Sequence, residues 1–318
     1  MTIRTTWRST NSQGPTVNRR YSAAVTAQTL VPEDTPFAPL DWGLLLGAAS
    51  IWGGSFLFMA IGLDAFEPGL VTFLRVAVGA ATLLLVPSAR VSIPRADMGR
   101  IALLGITWMA FPLTMFPIAQ QWIDSSVAGM LNAAMPLLTV TIAWLGFRTP
   151  TTSRRLVGVG VGIVGILLIG VPEATTAGTN AVGVGLVVLA VASYGIAVNI
   201  AGPLQQRHGA LPVTARALSF ATILTLPYGA YGLADSSFAW DSLLACVAVG
   251  ALGTGVAFTF AATLTGRVGA VRTSIITYVV PVVSIALGVV FRNETVSALA
   301  IIGTGIVLCG AWLSSRTA

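Results

Sequence analysis

From Asp41 to the C terminus the chain is a succession of apolar runs of about twenty residues with short breaks, and most of its charge lies in the breaks. A helix needs ~20 apolar residues to cross ~30 Å of hydrocarbon, so each run is long enough to span a bilayer. Inside hydrocarbon every backbone N–H and C=O must be satisfied within the protein, which leaves helices as the form such runs can take. Composition agrees, because 55% of the 318 residues are hydrophobic and 9% are charged, against about 25% charged in a soluble domain. The hydrophobic residues and the 34 glycines together match what ten spans of ~20 residues use. A water-soluble globular protein is excluded.

Spans are expected near 43–63, 70–88, 100–119, 127–147, 155–171, 182–201, 212–233, 241–262, 270–291 and 297–314. Residues 1–40 are polar and lack an apolar stretch long enough for a signal peptide. They read as a disordered cytoplasmic tail or as an over-long gene start. All seventeen basic residues are arginine. With the N terminus placed inside, fourteen fall in inside segments and one, Arg292, falls outside among seven acids: Asp64, Glu67, Asp124, Glu173, Asp235, Asp241 and Glu294. This asymmetry predicts ten spans, both termini cytoplasmic, in the cytoplasmic (cell) membrane. Arg75 and Arg216 lie within spans. The net charge of +6 and pI near 10.1 do not point to nucleic acid, since the arginines sit in loops without interleaved aromatics. Cys246 and Cys309 fall inside apolar runs without metal-ligand spacing, so no metal, cofactor or disulfide is expected.

The chain repeats itself. An offset of 144 pairs Phe147-Arg148 with Phe291-Arg292, and 143 pairs Gly160–Val164 with Gly303–Val307. Offsets of 145, 142 and 141 pair Pro136 with Pro281, Trp52 with Tyr194, and Arg75 with Arg216. Two halves of five spans, 43–171 and 182–314, follow. Because five is odd, the second half must lie inverted, the plan of many secondary carriers. The fold class expected is therefore all-α: ten transmembrane helices as two inverted five-helix repeats.

Trp52-Gly53-Gly54-Ser55-Phe56, Phe73-Leu74-Arg75, Asn132 to Pro136 and the glycine-rich fifth and tenth spans resemble the EamA-type branch of the drug/metabolite transporter superfamily. The resemblance covers about residues 43–314. It implies a secondary transporter of small metabolites such as amino acids, with export favoured over import. Such halves often end span four with a Glu; Glu294 occupies that place in the second half, and Thr149-Pro150 stand there in the first.

Candidate site residues come from the repeat and from polarity at depth. Pro136 and Pro281 lie near span centres, where each removes a donor from the carbonyl four residues back, on Asn132 and Thr277. Such a break either lines a cavity or kinks the bundle. Arg75 and Arg216 read either as a gate or site for an anionic or zwitterionic substrate, or as side chains snorkelling to the headgroups. Trp52, Trp108 and Tyr194 lie within spans; with Ser55, Thr107, Asn199 and Tyr278 they suit an apolar cavity with a few polar anchors, or core packing. Gly160-Val-Gly162-Ile-Val-Gly165 mimics a dinucleotide fingerprint, but inside an apolar span it reads as close helix packing.

No Asp or Glu lies mid-span and the only histidine, His208, is in a loop, so no nucleophile–base or metal constellation can be assembled. An enzyme is not expected; an intramembrane enzyme or a channel-like or structural membrane protein remains the alternative class. Central carboxylate coupling is disfavoured, leaving Glu67 or Glu294 near the outer face if protons are used. The partners expected are a small-molecule substrate and the lipid bilayer, not nucleic acid, with a homodimer left open.

Overall fold

In the computed structural model the described residues are 36–176 and 180–315, so most of the expected N-terminal tail lies outside them. Every regular element among the described residues is helical. The chain order is α1 (Pro39–Leu63), α2 (Pro68–Leu84), α3 (Arg95–Ala119), α4 (Ser125–Asn132), α5 (Met135–Leu145) and α6 (Ser153–Thr176). It continues with α7 (Asn180–His208), α8 (Ala210–Asp235), α9 (Trp240–Val268), α10 (Ala270–Thr273), α11 (Ile276–Arg292) and α12 (Ala298–Ser315).

Seven of these, α1, α3, α6, α7, α8, α9 and α12, are long and apolar enough to cross a membrane. α4 and α5 reach that length only as a pair bent by 43°, and α2 and α11 are shorter apolar helices. Large apolar side chains such as Leu85, Ile223, Leu226 and Val290 point outward. A helix that is apolar all round belongs in lipid. The protein is an all-helical, multi-pass membrane protein.

Local chemistry sets the helix ends. Pro39 and Pro68 open α1 and α2, where a missing N–H costs nothing. Gly209 and Gly269, at φ 86° and 84°, turn the chain between α7 and α8 and between α9 and α10. The two breaks differ. α4 ends at Asn132 and the break at Ala133-Ala134 stands one residue ahead of Pro136, whereas the second break, at Ser274-Ile275, precedes Pro281 by more than a turn. Pro281 itself lies buried within α11. A proline at the start of a helix interrupts nothing, while one inside it leaves the carbonyl four residues back without its helical donor.

Between helices in lipid, close packing replaces the hydrophobic effect, and small residues permit it. α6 and α12 meet along such a seam. A Cβ on Gly310 would lie 2.5 Å from the Gly162 nitrogen and 2.6 Å from the Gly158 oxygen, and one on Gly165 would lie 2.6 Å from the Gly303 oxygen. Gly160, the middle glycine of the fingerprint-like run, faces open space. The motif is therefore a helix seam. Over-packing costs ~1–3 kcal/mol, so Gly310→Val should lower the unfolding temperature of the detergent-purified protein. Gly160→Val should leave stability within about 0.5 kcal/mol; equal losses in both would refute the seam.

Candidate functional site

Helices from both parts of the chain converge on a cavity of about 900 Å³, counting the portion continuous with solvent. Its polar lining is Ser55, Arg75, Asn132, Thr254 and Thr277. Its aromatic lining is Trp52, Phe56, Trp108, Phe116, Tyr194 and Phe258, and Met59, Met109, Leu113, Met135 and Val280 complete the apolar wall. None of these lining residues is acidic.

The aromatic rings form two groups. Phe258 stands edge-to-face with Trp52 at 5.5 Å and with Trp108 at 5.6 Å. Phe116 meets Phe56 at 5.5 Å and Tyr194 at 6.1 Å. These separations suit aromatic contacts, which stiffen the walls beyond their buried area.

Irregular backbone shapes the cavity. α3 widens into a π-helical stretch over Gly105–Ala110, and α9 does so over Val249–Val256. Such bulges disturb the regular hydrogen-bond ladder and recur at functional sites. One carbonyl in each stretch is met by a side chain from another helix. The Trp52 indole N–H donates to the Gly253 oxygen at 2.9 Å, and the Ser193 hydroxyl donates to the Thr107 oxygen at 2.6 Å. The two bonds are reciprocal: α1 serves α9, and α7 serves α3.

Arg75 is carried by α2, which is wedged against the π stretch of α9. A Cβ on Gly79 would lie 2.6 Å from Thr254 Cβ, and one on Gly250 would lie 2.9 Å from the Arg75 backbone oxygen. The Arg75 side chain, 7% exposed, donates from Nε to Thr254 Oγ1 at 3.4 Å and from Nη1 to Met59 Sδ at 2.9 Å. Among the described residues Arg267–Asp41 and Arg292–Asp64 form ion pairs and the His208 ring bonds the Asp97 carboxylate; Arg75 is in none of these contacts.

Asn132 lines the cavity from the end of α4, and the start of that helix is held from a distance. Glu294 Oε1 accepts from the Ser125 N–H at 3.0 Å and the Ser125 hydroxyl at 2.6 Å, and Oε2 accepts from the Ser126 N–H at 2.9 Å. Asp124, the residue preceding α4, makes no side-chain cap of its own. A carboxylate on the first N–H groups of a helix satisfies orphan donors and complements the helix dipole. Burial, and after it the charge of Glu294, raises the Asp124 carboxyl above the ordinary aspartate range.

Of the twelve residues selected from sequence, Trp52, Ser55, Arg75, Trp108, Asn132, Tyr194 and Thr277 line this one cavity. Five do not. Asn199 ties α7 to α5 through the Thr139 oxygen at 3.3 Å, and bonds the Gly195 oxygen at 2.8 Å. Arg216 donates to the carbonyls of Ala89 at 2.9 Å and Arg90 at 3.2 Å, in the short helical turn Pro87–Arg90 that follows α2. Tyr278 packs against the apolar core, Pro136 opens α5 and Pro281 is buried in α11. Sequence reasoning passed over Met59, Thr254, Phe116 and Phe258. Nothing in a run of apolar residues marks which face meets the cavity, although Thr254 and Phe258, four apart, share a face of α9.

The sequence profile of the EamA-like transporter family matches residues 42–171 and again 181–316. The chain belongs to the EamA-like transporter family. Its relatives within that assignment include the uncharacterized transporter YoaV of Bacillus subtilis, 22% identical over 86% of this chain and 96% of its own length. The uncharacterized inner membrane transporter YedA of Escherichia coli K12 is 25% identical over 84% of this chain and 88% of its own length. A solved crystal structure, 19% identical, superposes with a TM-score of 0.58 over 85% of this chain and 94% of its own, which shows a shared fold. The EamA-like assignment makes this a membrane transporter, consistent with the drug/metabolite transporter superfamily.

Substitutions at two positions probe the frame of the EamA-like cavity. Glu294→Ala should cost about 0.5–2 kcal/mol, the usual value of a lost helix cap, and should speed hydrogen exchange at the Ser125 and Ser126 amides. Glu294→Gln keeps one carbonyl acceptor and should fall between. Trp52→Phe keeps a ring but leaves the Gly253 carbonyl without its donor, so a loss of ~1–3 kcal/mol is expected in thermal unfolding. Wild-type stability in Trp52→Phe would show that the indole bond contributes nothing.

Proposed function

We propose that the chain is a secondary transporter that moves small metabolites, such as amino acids or related compounds, across the cytoplasmic membrane by alternating access. In this reading the bent α4–α5 pair, α2 and α10–α11 also cross the bilayer, which makes ten spans in two inverted halves, about 43–171 and 182–314. Both termini are then cytoplasmic, by the distribution of arginines in the loops. Export is the direction that the family resemblance favours.

The observation that carries the reading is the cavity built where both halves contribute broken or widened helices. Carriers of inverted-repeat design hold substrate at such a place, because irregular backbone is tolerated in a membrane only where protein or water meets it. The reciprocal bonds from Trp52 to the α9 bulge and from Ser193 to the α3 bulge support two equivalent halves. Ion pairs at the helix ends support gating: Arg292–Asp64 joins α11 to α1 at one end, and Arg267–Asp41 joins α9 to α1 at the other. Rocking of the halves would open one set while the other stays closed. Without an acid in the lining, facilitated or exchange transport suits the residues better than proton coupling through a central carboxylate.

The test uses single cysteines at the cavity. Cys246 is buried and Cys309 exposed, so Asn132→Cys and Thr277→Cys are made in a Cys309→Ser background. Both cysteines are expected to react with a membrane-impermeant maleimide from either side in turn, with the balance shifted by transported compound. Protection from both sides under every condition would overturn the carrier reading.

A further inference from the structure

We propose that the cargo of this cavity is an organic monoanion, whose carboxylate docks on the Arg75 guanidinium while an apolar body lies against the aromatic walls. The inference rests on the cavity being the transport site, and within the small metabolites of that reading it replaces zwitterionic amino acids by monoanions as the preferred cargo.

A guanidinium is never neutral in a protein and offers five N–H donors in a planar fork. Holding that charge away from water is costly unless it is paired. Arg75 is more than nine-tenths buried, yet its partners among the described residues are a hydroxyl at 3.4 Å and a thioether sulfur at 2.9 Å, both uncharged and weak. Two of five donors are thus occupied, and the rest meet no acceptor among the described residues. Arg216 shows how this chain satisfies an arginine that merely ties helices, with the fork set on two backbone carbonyls at a helix end. Arg75 has no such carbonyls and lines the cavity instead.

The charge balance of the lining selects the cargo. One cation and no anion line the space, so a single negative charge on the cargo brings the site to neutrality. A phosphate dianion would exceed it. An ammonium, alone or in a zwitterion, would add positive charge with no carboxylate to receive it. A carboxylate matches the fork in two parallel hydrogen bonds, stronger than bonds between neutral groups. Beyond that contact, Trp52, Trp108, Phe116 and Phe258 present ring faces and edges that favour a flat or aliphatic body.

Binding to the full chain purified in detergent is read from tryptophan fluorescence, since Trp52 and Trp108 border the site. The probes share one body and differ in charge: hydrocinnamate, its neutral amide, phenylalanine as the zwitterion and phenethylamine as the cation. Benzoate and octanoate vary the body at constant charge. The wild type should prefer hydrocinnamate to the amide by about thirtyfold or more, as expected for a buried charge pair. Arg75→Gln should abolish that preference, and Arg75→Lys should restore part of it. If Arg75→Gln does not fold, the wild-type series decides alone. Equal binding of hydrocinnamate and its amide, tighter binding of phenylalanine, or failure of every carboxylate to bind would overturn the proposal. Charge selectivity without two-sided access at residue 132 would instead sink the carrier reading and leave the anion site standing.

Discussion

Backbone hydrogen bonding in hydrocarbon governs this structure. A peptide group that leaves the helical ladder inside a bilayer has no water to turn to, so it needs a partner from elsewhere in the protein. Among the described residues prolines stand inside helices at Pro117, Pro203, Pro227 and Pro281, but the π stretches of α3 and α9 and the breaks at Ala133-Ala134 and Ser274-Ile275 gather at the cavity. Trp108, Asn132, Met135, Gly253, Thr254 and Thr277, in or beside those stretches, all border it. Two of the disturbed carbonyls are met by side chains of other helices, so irregularity in one helix demands a precise neighbour. The cavity is the product of that demand.

Close approach of helices supplies the second half of the frame. Gly79, Gly250 and Gly255 let α2 and the bulged part of α9 touch backbone to side chain, and Gly253 brings α9 against Ser55 of α1. Thr254 and Arg75 face one another because of this contact, not because of any long-range charge attraction. The α6–α12 seam works by the same rule away from the cavity. Packing of this kind has no slack, so the helices that carry Arg75 and Thr254 are stiff supports for a buried charge.

Charge is distributed to match. The arginine–carboxylate pairs stand at helix ends: Arg292–Asp64 is open to water, whereas Asp41, paired with Arg267, is buried. Glu294 stands at such an end too, with both carboxylate oxygens engaged on the start of α4. It therefore acts on the cavity through the helix that carries Asn132. In the sequence repeat the stretch corresponding to Glu294 carries Thr149-Pro150, so no acid stands there to hold a helix start in the same way.

The membrane class was legible in sequence because apolar run length and the cost of buried charge are local properties that each segment declares alone. The same holds for the seven cavity residues anticipated: Asn132, Arg75 and Trp52 are conspicuous because polar or aromatic groups at depth need a reason. Pro136 and Pro281 announced irregular backbone, but the second break falls ahead of its proline. Where a helix yields depends on what its neighbours can satisfy, and proline is only one contributor. Arg75 and Arg216 looked alike, each a few residues into a span and paired by the repeat. Tertiary structure separated them by placing two carbonyls beside Arg216 and an open cavity beside Arg75. Phe258, Phe116, Thr254 and Met59 stayed hidden for a related reason. In an apolar run no pattern distinguishes a face turned to lipid from one turned to the cavity, and only the packing of the helices decides it.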